Sequence, residues 1–85
     1  MIHNFTTEFG LSVTIQFHTE RKGLFKPEAS YKCEGKDGEL IAEGNLWIDD
    51  VEKSVIVYDG LMPNAVRMAL ANIGYWINEK SVLQD

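Results

Sequence analysis

The segment that decides the fold covers residues 63–80 and reads PNAVRMALANIGYWINEK. Its apolar residues recur at intervals of three and four positions, the spacing that places them on one side of an α-helix. Pro63 suits a first helical turn, where no backbone donor is needed. Gly74 falls within the segment at a cost of about 1 kcal/mol relative to alanine. The pattern predicts a helix that buries its apolar stripe against a sheet. The stripe consists of Val66, Leu70, Ile73 and Ile77.

The chain before this helix has the patterns of β-strands. Residues 11–18 alternate apolar and polar side chains, which predicts a strand with one buried face and one solvated face. Residues 28–36 and 39–49 flank Asp37-Gly38, a dipeptide typical of a two-residue hairpin turn with positive φ. Residues 54–58 supply a further strand.

These elements predict an α+β fold. Because the connections are short, neighbours in sequence should be neighbours in space. We therefore expect a four-stranded antiparallel meander with one C-terminal helix packed on one face (β-β-β-β-α). Residues 1–9 add an edge strand or a tail, and residues 81–85 fray. The whole chain, 1–85, has a length typical of a single domain.

The hairpin turn implies a register that can be checked within the sequence. A two-residue turn brings two opposite-charge pairs and one aromatic–glycine pair across the strands, and each of these favours pairing. The pairs are Lys36–Glu39, Lys32–Glu43 and Tyr31–Gly44.

A second set of apolar side chains falls on the face away from the helix. In the expected pairing Trp47 lies opposite Ile56, and Tyr58 lies beside them opposite Asn45. Large exposed apolar clusters are rare on monomers, and Trp and Tyr are frequent at binding hot spots. The pattern predicts a surface that binds another protein or a second copy of the chain. Its residues are Ile41, Trp47, Ile56 and Tyr58.

Composition is typical of a globular protein without a membrane span. Apolar residues make up 45% of the chain and charged residues 25%, which excludes general disorder. No apolar run reaches the roughly 18–20 residues that cross a bilayer, and the first residues lack the pattern of a signal peptide. Cys33 is the single cysteine, which suits a reducing compartment. We expect a cytoplasmic protein, of its own cell or of an infected host.

The charge of −5 is unevenly distributed. Residues 34–59 contain eight acids and two bases, a local sum of −6. This balance argues against direct binding to nucleic acid, because attraction to phosphates supplies most of non-specific affinity. The same acidic charge is compatible with an alternative function, in which the protein competes with nucleic acid for the site of a nucleic-acid-binding protein.

The sequence contains no constellation typical of catalysis or of metal or cofactor binding. His3 and His18 have no Cys or acid at ligand spacing, and the acidic turn at 49–52 lacks the EF-hand pattern. Cys33 points inward in the expected register and is a small buried hydrophobe. We expect no enzyme activity, no metal and no cofactor.

The leading hypothesis is a small acidic protein-binding module, an adaptor, inhibitor or regulator of the kind that a phage or other mobile element encodes. It acts through the outer aromatic and aliphatic face of the sheet. One alternative is a small-ligand binder or enzyme with a pocket between helix and sheet, and another is the acidic competitor. The outer face is also open to a purely structural interpretation, in which residues 1–9 or 19–27 cover it.

Overall fold

The computed structural model describes residues 1–18 and 27–77. The strands form one sheet in sequence order, curled into a half-barrel. The α+β class and the mostly antiparallel sheet with one helix are confirmed for the described residues, but the predicted strand number of four is wrong because six are present. The expected fraying at 81–85 and most of the 19–27 loop lie outside the described residues. The elements are β1 (Ile2–Thr6), β2 (Ser12–Phe17), β3 (Ala29–Glu34), β4 (Leu40–Asp49), β5 (Ser54–Tyr58), α1 (Asn64–Asn72) and β6 (Trp76–Ile77).

The first additional strand, β1, comes from residues 1–9. It pairs antiparallel with β2 in a register that sets Ile2 opposite Gln16. His3 and Phe5 on β1 are half-buried, and Phe5 packs against the core. The edge-strand alternative for this segment is therefore correct. Because β1 lies at the far edge of the sheet from β5, it does not cover the outer face of β4 and β5.

The predicted helix is too long, because α1 ends at Asn72. Gly74 has a φ of +90°, in the left-handed region that glycine enters without a Cβ penalty. The N–H of Tyr75 donates to the carbonyl of Leu70 at 2.9 Å. The N–H of Gly74 donates to the carbonyl of Ala71 at 3.0 Å. These two bonds form a Schellman motif, in which glycine terminates the helix.

Residues expected in the last turn of the helix form the second additional strand instead. Trp76 and Ile77 make β6, which pairs parallel to β5 with Trp76 opposite Ser54. The backbone N–H of Trp76 donates to the carbonyl of Lys53 at 2.9 Å. Its indole N–H donates to the carbonyl of Glu52 at 3.0 Å. The turn between β4 and β5 is thereby joined to the end of the described chain.

Substitution of Gly74 distinguishes the observed cap from a glycine in a helix interior. We expect Gly74→Ala to lower the free energy of unfolding by about 1–2 kcal/mol, because alanine is strained at this positive φ. A glycine in a helix interior would give the opposite sign, a gain of about 1 kcal/mol. Urea unfolding followed by circular dichroism measures the difference, and a more stable variant would contradict the cap.

The core lies between α1 and the inner face of the sheet. The helix contacts β2, β3 and β6, and its buried residues are Ala65, Val66, Ala69 and Leu70. The predicted stripe is confirmed at Val66 and Leu70, whereas Ile73 packs only partly against the core. In the described ranges no helix has the length and hydropathy needed to cross a membrane. The sheet contributes mainly Val13, Ile15, Ala29, Tyr31, Cys33, Leu46, Ile48 and Val55.

The predicted register between β3 and β4 is confirmed over most of its length. Lys32 lies opposite Glu43, and Tyr31 lies opposite Gly44. A Cβ built on Gly44 would collide with the backbone carbonyl oxygen of Asp59 and would lie 2.5 Å from the Tyr31 hydroxyl oxygen. Glycine is therefore required at position 44, because the Asp59 carbonyl and the phenol of Tyr31 together occupy the space of a side chain.

The turn between β3 and β4 differs from the prediction. The N–H of Gly35 donates to the carbonyl of Glu39 at 2.7 Å, so a three-residue loop replaces the two-residue turn. The expected Lys36–Glu39 pair is therefore wrong. Gly38 alone in this loop has a positive φ, +87°. This is the geometry of a type I turn followed by a glycine bulge.

Candidate protein-binding face

The pairing of β4 with β5 contains a bulge that changes which residues face outward. Ile48 lies opposite Val55 as expected. Beyond this pair the register shifts by one residue, so that Trp47 lies opposite Val57 and Ile56 is the extra residue. A bulge of this kind sets two residues of one strand against one residue of the other. The expected Trp47–Ile56 pair is therefore wrong, although both residues remain neighbours on the outer face.

Hydrogen bonds between Asn45 and Asp59 hold the shifted register. The N–H of Asp59 donates to the carbonyl of Asn45 at 3.2 Å. In return the backbone N–H of Asn45 donates to the Asp59 carboxylate, and its side-chain amide donates to the second carboxylate oxygen at 3.1 Å. Bonds to an ionised carboxylate are stronger than neutral ones. They fix Asp59, and not Tyr58, opposite Asn45.

The shift moves Tyr58 to the inner face. Its strand partner is Leu46, which is fully buried, and Tyr58 itself is half-buried against the core. The prediction that Tyr58 lies outside, opposite Asn45, is therefore wrong. Its place on the outer face is taken by Val57, which lies opposite Trp47. The run SVIVY has apolar residues at three successive positions, so its period could not reveal the bulge.

Ile41 is exposed but stands apart from Trp47. The two residues are six positions apart on β4, which corresponds to about 20 Å along a strand. A second irregularity, next to Glu34, leaves Ile41 without a strand partner in the β3–β4 register. The structure thus brings together three outward residues, and we call them the outer apolar surface: Trp47, Ile56 and Val57.

The outer apolar surface combines exposed aliphatic side chains with the indole N–H group of a tryptophan. Ile56 is 43% exposed, and Trp47 is half-buried. Within the described part of the chain the indole N–H of Trp47 forms no hydrogen bond. Buried tryptophan N–H groups usually have a partner. The surface therefore offers a binding protein apolar contact together with the indole N–H of Trp47.

Polar and acidic groups surround this surface. Glu43, Asn45 and Asp49 share the outward face of β4 with Trp47, by strand alternation. An open groove of about 580 Å³ continues from Asn45 across β3 to β2, and its lining is polar. The outer side thus has a small apolar centre with a polar, mostly acidic margin, the layout typical of protein interfaces.

The other residues that could take part in catalysis or metal binding are Cys33 and the acids of the turn at 49–52, and both contribute to the structure. Cys33 is fully buried, and burial, followed by the charge of Glu34, raises the pKa of its thiol. One carboxylate oxygen of Asp49 accepts the N–H groups of Val51 and Glu52 in the turn. Among the described residues no group of three or more His, Cys, Asp or Glu side chains could hold a metal ion.

Comparison of the chain with protein-family models, with curated proteins and with solved structures finds no match.

Proposed function

We propose that this protein is a small, non-enzymatic binding module that captures another protein through the outer apolar surface. The shift at Ile56 carries the proposal, because it sets Ile56 and Val57 against Trp47 on the side of the sheet away from the helix. Interface centres are rich in Trp and in residues that lose water completely on binding. An adaptor, inhibitor or regulator, including one encoded by a phage or other mobile element, needs a surface of this kind.

Charge favours a different protein over a second copy as the partner. Glu43 and Asp49 flank Trp47 on β4, and the segment 34–59 sums to −6. Two copies meeting through this face would bring like charges together, which costs several kcal/mol at an interface. A partner with an apolar pocket and a basic margin would instead be attracted. A cytoplasmic location belongs to the same proposal, since Cys33 is a free, buried thiol.

We expect Trp47→Ala to abolish capture of the partner. The protein is immobilised, exposed to an extract of its source cells, and the retained proteins are quantified by mass spectrometry. Truncation of a central interface Trp typically costs 2 kcal/mol or more, about thirtyfold in affinity. Ile56→Ala should weaken capture of the same protein, because its side chain lies beside Trp47.

Two variants serve as matched controls for this experiment. Met68→Ala removes an apolar side chain that is 53% exposed on α1, away from the sheet surface. Ile41→Ala removes a side chain whose exposure equals that of Ile56, at a distant position on β4. Both should retain the partner. Equal losses in all four variants, or retention of the partner by Trp47→Ala, would refute the proposed surface.

A salt titration of the captured complex separates this proposal from the acidic competitor. Contact through an apolar centre should keep most of its affinity as ionic strength rises, whereas a complex that imitates a phosphate backbone should weaken steeply. Sedimentation of the purified protein tests the second-copy alternative, and a dimer lost in Trp47→Ala would establish it.

A further inference from the structure

A separate pocket lies on the inner side of the half-barrel, where β1 and β2 approach the residues before β6. Its volume is about 300 Å³, at the lower end of the range for small-ligand sites. At roughly 30 Å³ for each water-sized group, it holds about ten non-hydrogen atoms. It shares no residue with the outer apolar surface. We call it the seam pocket, and its lining is Met1, His3, Phe17, Lys53, Ile73 and Tyr75.

Three rings form the apolar wall of the seam pocket. The rings of His3 and Phe17 meet edge to face, with centroids 5.6 Å apart. Phe17 and Tyr75 are tilted against each other, also at 5.6 Å. Ile73 at the end of α1 adds aliphatic surface. A wall of this composition accepts an apolar body, aromatic or aliphatic.

Lys53 contributes a positive charge to the lining, which also contains the His3 imidazole and Met1, whose N-terminal ammonium donates to the carbonyl of Phe17 at 3.4 Å. Its ammonium nitrogen lies 5.3 Å from the centroid of the Tyr75 ring, within the range of a cation–π contact. Asp50 accepts a hydrogen bond from the Tyr75 hydroxyl at 3.5 Å, but it is not a lining residue. An anionic group in the pocket would gain a charge-assisted bond from Lys53, whereas a cationic ligand would be repelled.

The backbone at Lys53 provides an independent indication that its side chain has a function. Its φ is +56°, and it is the one described non-glycine residue with a positive φ. Glycine or asparagine would occupy such a turn position with less strain. The carbonyl of Lys53 is held by the N–H of Trp76, so β6 fixes the residue in this conformation. Strained residues that persist in a structure cluster at functional sites.

We infer that the seam pocket binds a small monocarboxylate with an apolar body, held by the apolar wall and by the ammonium group of Lys53. Phenylacetate has the required size, charge and ring. With about ten non-hydrogen atoms, it should bind with a Kd on the order of 1 mM. Two compounds of similar shape serve as comparators: phenethylamine, which carries a positive charge, and phenethyl alcohol, which is neutral.

The experiment is a titration of the full chain followed by backbone amide NMR shifts. Phenylacetate should produce saturable shifts at His3, Phe17 and Tyr75, with much weaker effects from the alcohol and the amine. In Lys53→Gly the affinity for phenylacetate should fall by about tenfold or more. Urea unfolding should show that Lys53→Gly is at least as stable as the wild type, since glycine relieves the positive φ. A loss of binding therefore cannot result from unfolding.

Lys36→Ala is the matched control, because it removes the same charge in the turn at the opposite end of β4 and should bind phenylacetate as the wild type does. Equal affinity for phenylacetate and phenethylamine, or unchanged affinity in Lys53→Gly, would overturn the inference. Shifts confined to residues outside the pocket, or no saturable shift up to about 10 mM, ten times the expected Kd, would also overturn it. No protein partner is used, so this result is independent of the outer apolar surface.

Discussion

Leu70→Ala should lower the free energy of unfolding by about 2–5 kcal/mol. Leu70 is fully buried in the second turn of α1, and the helix contacts β2 and β3. Truncation removes apolar contact and leaves a cavity that the surrounding residues can fill only in part. Because domains of this size are stable by roughly 5–15 kcal/mol, the loss is a large share of the total.

The measurement for Leu70→Ala is urea unfolding, with Met68→Ala as its control on the same helix. Met68 is 53% exposed, so its truncation should change the free energy of unfolding by no more than about 0.5 kcal/mol. The difference between the two variants isolates packing from helix propensity. A cost below about 1 kcal/mol for Leu70→Ala would mean that α1 is not docked on the sheet.

Ionisation of Tyr31 should destabilise the fold at alkaline pH. The Tyr31 hydroxyl lies 2.7 Å from the carbonyl oxygens of both Asp59 and Leu61, which share its single proton as acceptors. Burial, followed by the charges of Asp59 and Tyr58, raises the pKa of Tyr31 from 10.0 to about 12. The folded protein therefore holds the proton more tightly than the unfolded chain. This stabilisation is complete below pH 10 and is lost as the pH rises from 10 to about 12.

Tyr31→Phe tests this assignment at two conditions. At neutral pH the variant should lose about 1–3 kcal/mol, because two carbonyl groups beyond β5 lose their donor. Above pH 10 its stability should fall less steeply than that of the wild type, since it has no proton to lose at this position. Identical alkaline unfolding of wild type and Tyr31→Phe would exclude Tyr31 as the responsible group.

The hairpin shows which parts of a fold the sequence can specify. Charge and shape complementarity lie in the residues themselves, so the pairing of Lys32 with Glu43 and of Tyr31 with Gly44 could be predicted and is confirmed. The length of the connecting loop could not be predicted, because Asp-Gly is compatible with both a two-residue turn and a longer loop with a glycine bulge.

The helix end and the outer surface depended on interactions with distant residues. Gly74 is compatible with a helix interior at a modest cost in free energy and with a left-handed cap at no cost. The structure has the cap, and Trp76 then pairs with Ser54 in β6. The position of Tyr58 depends on the bonds between Asn45 and Asp59, which are 14 residues apart. Strand alternation alone therefore placed Trp47 and Ile56 on the outer face but misplaced Tyr58.

The two tryptophans of the chain provide the most direct test of the outer apolar surface. Hydroxyl-radical oxidation of Trp47 and Trp76 is measured by mass spectrometry in the free protein and in complex with the captured partner. Trp76, 50% exposed, lies on β6 opposite Ser54, two strands away from Trp47. We expect the partner to suppress oxidation of Trp47 more strongly than oxidation of Trp76. Protection of Trp76 with no change at Trp47 would contradict binding through this surface.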